Sequence, residues 1–65
     1  MRITCPVNGI IHSIDVPEKV AEMAQEKSAK TGKHVQTLLR EASAPVIISG
    51  KEPTVDDFEK YLSKL

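Results

Sequence analysis

The fold of this chain is decided between residues 2 and 16, where the sequence reads RITCPVNGIIHSIDV. Asn8-Gly9 stands near its centre, and this pair is the preferred sequence for a two-residue type I′ turn, in which both central residues adopt positive φ. Side chains alternate between the two faces of a strand. With the turn placed there, one face carries Ile3, Cys5, Val7, Ile10, His12, Ile14 and Val16. The segment therefore predicts a β-hairpin whose mostly apolar face is directed at a core.

The same turn fixes which residues lie opposite each other on the second face of the hairpin. The predicted pairs are Arg2 with Asp15, Thr4 with Ser13, and Pro6 with Ile11. This face begins with an ion pair and a pair of hydroxyls, both of which favour cross-strand pairing. Because proline has no N–H to donate, Pro6 predicts that the first strand lies at an edge of its sheet.

Two helices are predicted after the hairpin. The first runs from about Pro17 to Thr31, because proline suits the first helical position and Gly32 suits the C-terminal cap. The second runs from about Lys33 to Ser43. Its apolar residues recur with the i, i+3, i+4, i+7 spacing of a core-facing helix, and they are Val35, Leu38, Leu39 and Ala42.

The C-terminal third is predicted to hold a strand and a helix. Pro45 is predicted to end the second helix, and the β-branched run 46–48 is interpreted as a short third strand, with a buried connector as the alternative. A last helix is predicted after Pro53, with Thr54 as its N-cap and Asp57 completing a capping box. The predicted fold class is therefore α+β, with an N-terminal β-hairpin, two helices, a short third strand and a C-terminal helix.

Chain length limits how such a fold is stabilised. Sixty-five residues make a single domain, 1–65, near the lower size limit for folding without disulfides, a metal or oligomerisation. Cys5 is the only cysteine, which excludes a disulfide within one chain and favours a reducing compartment. Cys5, His12 and His34 have no zinc-site spacing. We therefore expect no metal and no cofactor. Oligomerisation is then the remaining way to stabilise so small a fold, and we expect a homodimer.

Charge and hydropathy restrict the class of partner. The chain has 9 basic and 9 acidic residues, so its net charge is zero. Nucleic-acid binders usually carry a basic excess, because phosphate contacts supply much of their affinity. No apolar run is long enough for a membrane span, and the first residues lack the pattern of a signal peptide. We therefore expect a soluble cytoplasmic protein that does not interact with membranes.

Two groups of residues have catalytic interpretations. Cys5 opposite His12 could form a thiolate–imidazole pair, but the sequence offers no third group to orient it, so both are interpreted as fillers of the apolar face. Ser49-Gly50-Lys51 is similar to the end of a phosphate-binding loop, but the upstream glycine and the hydroxyl residue after the lysine are missing. We therefore predict that the protein is not an enzyme and has no small-molecule substrate.

The stretch from Ile11 to Ala42 resembles the ribbon-helix-helix family of DNA-binding regulators. The strand 12–16 is followed by Pro17-Glu18, a helix, Gly32 near the inter-helix turn and a second amphipathic helix. The resemblance covers about half of the chain. In this family two chains pair their strands into an antiparallel ribbon that lies in the major groove, where outward strand side chains contact base edges.

The resemblance implies a small DNA-binding regulator, of the repressor or antitoxin type, that acts as a homodimer. It places Ser13 and Asp15 against the bases, and Lys33 and His34 against the phosphate backbone. The neutral charge and Asp15 favour a second hypothesis, a non-catalytic protein-binding module or inhibitor that does not bind nucleic acid. Such a module would use a sheet edge, the acidic residues near the C-terminus or an apolar patch. At the level of sequence both hypotheses stay open.

Overall fold

A computed structural model describes all 65 residues and contains two strands followed by three helices. The elements are β1 (Arg2–Val7), β2 (Ile10–Asp15), α1 (Glu18–Thr31), α2 (Val35–Ile48) and α3 (Val55–Ser63). The strands form one antiparallel sheet. The α+β class is confirmed, and the order of a hairpin followed by helices is compatible with a ribbon-helix-helix topology.

The hairpin has the predicted turn and register. Asn8 has φ 52° and Gly9 has φ 79°, as a type I′ turn requires. The strand partners are those that the sequence predicts, from Val7 opposite Ile10 down to Arg2 opposite Asp15. The hairpin prediction is confirmed, because the turn residues and the alternation of side chains independently require the same register.

The ends of α1 and α3 also follow local sequence signals. Gly32 follows α1 in the left-handed conformation with φ 79°, and its N–H donates to the carbonyl of Ser28 at 2.9 Å. Before α3, Thr54 and Asp57 form the predicted capping box. The carboxylate of Asp57 accepts hydrogen bonds from the backbone N–H of Thr54 and from its hydroxyl. These two bonds, the backbone one most of all, hold the pKa of Asp57 below its usual range.

The prediction of a third strand at 46–48 is wrong, because α2 continues through Pro45 to Ile48. Proline inside a helix removes one hydrogen bond and crowds the carbonyl four residues earlier, at a cost of roughly 3 kcal/mol. Burial of Leu38 and Leu39 on the same helix stabilises it against this cost. Helical hydrogen bonding resumes beyond the proline, where the N–H of Ser49 donates to the Pro45 carbonyl at 3.2 Å.

The core lies between the inner face of the hairpin and the three helices. It is formed by Ile3, Val16, Val20, Ala21, Ala24, Leu38, Leu39, Ala42, Phe58 and Leu62. α2 is the central helix, since it packs against β1, α1 and α3. None of the helices combines the length and the apolar character that crossing a membrane would require.

Candidate functional site

The hydrogen-bonding pattern of the hairpin determines which backbone groups point outward. In an antiparallel pair, hydrogen-bonded and non-hydrogen-bonded residue pairs alternate. Bonds between Met1 and Val16 in both directions, at 2.6 and 3.2 Å, fix the phase of this alternation. The outward-pointing N–H and C=O groups therefore belong to the non-hydrogen-bonded pairs, which are Arg2–Asp15, Thr4–Ser13 and Pro6–Ile11.

The outer edge of β1 is partly blocked. Pro6 offers no N–H, and the carbonyl of Thr4 accepts a hydrogen bond of 2.8 Å from Nε of Arg40 on α2. A proline on an edge strand and a carbonyl that is already bonded interrupt the row of backbone groups with which another chain could pair. The outer edge of β1 therefore offers a partner fewer free backbone groups than an uninterrupted edge does.

The outer edge of β2 is open. We call this edge, with the outward backbone groups of Ile11, Ser13 and Asp15, the β2 edge. None of these groups has a hydrogen-bond partner outside the hairpin. All three residues are exposed. Unpaired N–H and C=O groups in a row are a template for pairing with a further strand.

A cleft of about 520 Å³ runs beside the β2 edge. Residues 12–15 of β2 form one wall, and Ile47 with the turn at residues 50–53 forms the other. Ile14 and Ile47, both half-buried, are its two apolar residues other than proline. The cleft thus combines open backbone groups with a small apolar surface, as peptide-binding sites at sheet edges do.

Only some of the charged side chains in the cleft have an ion-pair partner. Nε of Arg2 donates to Asp15 at 2.9 Å, and this hydrogen bond, with the attraction between the charges, holds the pKa of Asp15 below its usual range. Lys51 contributes to lowering the pKa of Asp57. Glu52 forms no ion pair. Lys51 forms no ion pair either, so the cleft carries one unpaired basic side chain next to one unpaired acidic side chain.

The inner face of β2 is less covered than the sequence predicts. Ile3 on β1 is buried, but Ile10 on the same face is 62% exposed, and His12 and Ile14 are only half-buried. On the other face Ile11 is 72% exposed. The alternation assigns each side chain to the correct face, but the helices pack against β1 and leave the start of β2 uncovered.

The four site residues predicted from the ribbon-helix-helix resemblance fall into two separate groups. Ser13 and Asp15 line the cleft. Lys33 and His34 precede α2, where Nζ of Lys33 lies 3.5 Å from a carboxylate oxygen of Glu41. No hydrogen bond or ion pair joins the two groups.

His34 has a structural role as the N-cap of α2. Its Nδ1 accepts a hydrogen bond of 3.2 Å from the backbone N–H of Gln36. The imidazole thus satisfies one of the donors that a helix start leaves free. A phosphate at this helix start would have to share these donors with the imidazole.

Cys5 and His12 lie opposite each other, as predicted, and differ in their surroundings. Cys5 is buried, whereas His12 is half-buried and lines the cleft. No hydrogen bond orients the imidazole of His12. Histidine, cysteine, aspartate and glutamate nowhere form a group of three that could hold a metal ion.

A polar cluster joins α2 to α3. The hydroxyl of Tyr61 donates to Glu41 at 2.5 Å, and this hydrogen bond raises the pKa of Tyr61 to about 12, with burial and the carboxylate charge contributing. The same bond lowers the pKa of Glu41, and Lys33 lowers it further. The cluster fixes α3 against α2, and the turn that connects these helices forms one wall of the cleft.

Ile47 and the turn at 50–53 are the cleft residues that the sequence did not indicate. The sequence predicts a third strand and a turn for these residues, and their position relative to β2 is set by packing alone. Comparison of the chain with protein-family models, with curated proteins and with solved structures finds no match.

Proposed function

We propose that the protein is a non-catalytic protein-binding module whose binding element is the β2 edge. The observation that carries this proposal is the set of unpaired backbone groups on Ile11, Ser13 and Asp15 next to a preformed cleft. Addition of an extended segment to a free sheet edge is a recurrent mode of peptide recognition, in which main-chain hydrogen bonds supply affinity and adjacent pockets supply specificity.

The charge distribution supports a polypeptide partner over a nucleic acid. The net charge is zero, and Asp15, the charged side chain of the β2 edge, is already paired with Arg2. The predicted phosphate ligands are engaged as well, Lys33 with Glu41 and His34 with the start of its own helix. A surface of this kind releases few counterions on meeting a phosphate backbone, and so gains little affinity from it.

A second candidate function is a ribbon-helix-helix-type DNA-binding regulator that acts as a homodimer. The order of hairpin and helices is compatible with it, and the unpaired β2 edge is where a second copy's strand would add. On this hypothesis Ser13 and Asp15 contact bases, and Lys33 and His34 contact phosphate. The homodimer predicted from the sequence belongs to this candidate, since a ribbon needs two chains.

A salt titration of binding to mixed-sequence duplex DNA separates the two candidates. For a protein-binding module we expect weak binding, with a Kd at or above roughly 10⁻⁴ M near physiological salt, and a shallow salt dependence. Replacing Asp15 with asparagine should then change the affinity no more than the control Asp56→Asn, an exposed acid on α3.

Tight and steeply salt-dependent binding by the unmodified protein would reject the module in favour of the DNA-binding dimer. In that case Asp15→Asn should strengthen binding more than Asp56→Asn does, because it removes a negative charge from the surface that faces the bases. Sedimentation of the same samples should show a dimer that dissociates on dilution.

A further inference from the structure

We infer that His34 makes the start of α2 sensitive to pH, because its neutral imidazole caps the helix and protonation of the ring releases the cap. The cap is the hydrogen bond of 3.2 Å from the backbone N–H of Gln36 to Nδ1 of His34. This inference concerns a different part of the molecule from the β2 edge and does not rest on the proposed function. It depends on which form of the ring can accept, on the surrounding charges, and on the packing of the first turn of α2.

The protonation state of the ring decides whether it can cap the helix. A neutral imidazole has one nitrogen that donates and one that accepts, whereas both nitrogens of the imidazolium donate. Nδ1 accepts from Gln36, so the neutral ring carries its proton on Nε2. A proton added at Nδ1 would face the N–H of Gln36, and two donors cannot bond to each other. The ring of His34 must then turn away, which its exposed position allows.

The cap of α2 differs from the usual helix caps in its response to pH. The side chains that most often cap helix starts are those of serine, threonine, asparagine and aspartate. The first three do not ionise near neutral pH, and aspartate stays a charged acceptor well into the acid range. Histidine, in contrast, ordinarily changes its charge between about pH 5 and 8. Because Thr54 caps α3, mild acidification should release the start of α2 and leave the start of α3 capped.

The charged groups around this ring do not replace the cap once it is lost. Near the connection between α1 and α2, the charged residues are Glu26, Lys27 and Lys30 on α1, Lys33 in the connection, and Arg40 and Glu41 on α2. Glu41, the acid of α2, is already bonded to Lys33 and to Tyr61 of α3, while Arg40 bonds to β1. No hydrogen bond or ion pair joins the ring to a carboxylate. The structure therefore holds no ion pair that would offset the loss of the cap.

The first turn of α2 carries core side chains, so release of the cap affects more than the helix end. Val35 is half-buried against the core, and Leu38 is fully buried. The N–H of Leu38 donates to the carbonyl of His34 at 3.1 Å, and this bond closes the first turn. Loss of an N-cap typically changes the unfolding equilibrium about fivefold. Acidification should therefore weaken the fold through the helix that packs against β1, α1 and α3.

Urea unfolding of three proteins at about pH 7.5 and about pH 5.5, on either side of the ordinary histidine titration, tests the inference. They are the unmodified protein, His34→Asn, whose amide oxygen caps at both pH values, and His34→Ala, which caps at neither. On acidification, the unfolding constant of the unmodified protein should rise roughly three- to fivefold relative to that of His34→Asn. That of His34→Ala should be about fivefold above the unmodified protein at the higher pH and nearly equal to it at the lower. Other titrating groups, including His12, are shared by all three proteins and cancel in these comparisons.

A pH titration followed by ¹H–¹⁵N NMR tests the contact itself. The amide signal of Gln36 should shift with the same midpoint as the ring signals of His34, because one proton controls both. This shift at Gln36 should be absent from His34→Asn. It should be retained in His12→Asn, which removes the other histidine of the chain.

Three results would each overturn the inference. The first is an equal loss of stability on acidification in the unmodified protein and in His34→Asn. The second is a Gln36 amide that does not follow the ring of His34. The third is a His34→Ala variant as stable as the unmodified protein at the higher pH, because the neutral ring would then not stabilise the helix start.

Discussion

β1 and β2 have the same length and the same alternation of side chains, and they pair residue for residue, yet they have different surroundings. The inner side chains of β1 are buried, whereas those of β2 are half-buried or exposed. The outer edge of β1 is interrupted by Pro6 and by the hydrogen bond from Arg40, whereas that of β2 has no such interruption. Alternation therefore determines which face a side chain occupies, but the position of α2 determines which strand is covered.

The largest expected effect contrasts one isoleucine from each strand. Ile3 on β1 is 2% exposed and Ile11 on β2 is 72% exposed. Ile3→Ala should lower the free energy of unfolding by about 2–5 kcal/mol, because it removes buried methyl groups and leaves a cavity. Ile11→Ala should change it by less than about 0.5 kcal/mol.

Chemical denaturation of both variants measures this contrast. If Ile3→Ala is too unstable to fold, the milder Ile3→Val should still cost about 0.5–1.5 kcal/mol. Similar losses at the two positions would mean that β2 is covered in solution as β1 is, either by the chain itself or by a second copy.

A smaller effect is expected at the turn that holds the two strands together. Gly9 has φ 79°, a conformation that a β-branched residue strongly resists. Gly9→Val should therefore destabilise the protein by roughly 1–2 kcal/mol, whereas the control Gly9→Asn should cost less, since asparagine adopts positive φ more readily. An unchanged melting curve for the valine variant would contradict the type I′ turn, and with it the register that makes Ser13 and Asp15 outward-pointing.

A pH titration probes the contact that holds the far wall of the cleft. Tyr61 is the only tyrosine, so tyrosinate absorbance reports it directly, with an expected midpoint near pH 12 in the folded protein. Because its pKa is raised on folding from an ordinary value of 10.0, the stabilisation from this bond is complete below about pH 10 and is lost as pH rises toward 12.

The matched variant for this titration is Glu41→Gln. This change removes the carboxylate that accepts the hydrogen bond from the Tyr61 hydroxyl. The titration midpoint of Tyr61 should therefore fall toward that of an ordinary tyrosine. A midpoint near pH 10 in the unmodified protein would mean that α3 is not fixed to α2 through this bond.

Local sequence signals predicted more of the fold than of the site. Asn8-Gly9, Gly32 and the Thr54–Asp57 capping box each act within a few residues, and the structure contains all of them as predicted. The predicted third strand was wrong because Pro45 is a strong local signal for a helix end, and burial elsewhere on α2 outweighs it. Whether the helix continues past Pro45 depends on the total burial of its core-facing residues, and no single residue of the sequence indicates that total.

The candidate site was only half predictable for a related reason. Ser13 and Asp15 were identified because strand alternation places them on the outer face, and the structure places them along the cleft. Ile47 and the turn at 50–53 lie more than thirty residues further along the chain, and their approach to β2 depends on how α2 packs. The ribbon-helix-helix resemblance places Lys33 and Ser13 in one DNA-contacting surface. That surface depends on the pairing of two chains, and a single chain does not contain it.

Amide hydrogen exchange along β2 tests most directly the claim that this strand offers an open edge. The N–H groups of His12 and Ile14 face β1 and are bonded to it, whereas those of Ser13 and Asp15 face outward. In dilute protein we expect His12 and Ile14 to exchange slowly, at a rate set by opening of the hairpin, and Ser13 and Asp15 to exchange nearly as fast as an unstructured chain. Equal protection of all four amides in a monomeric sample would contradict the account, because it would mean that the β2 edge is already occupied.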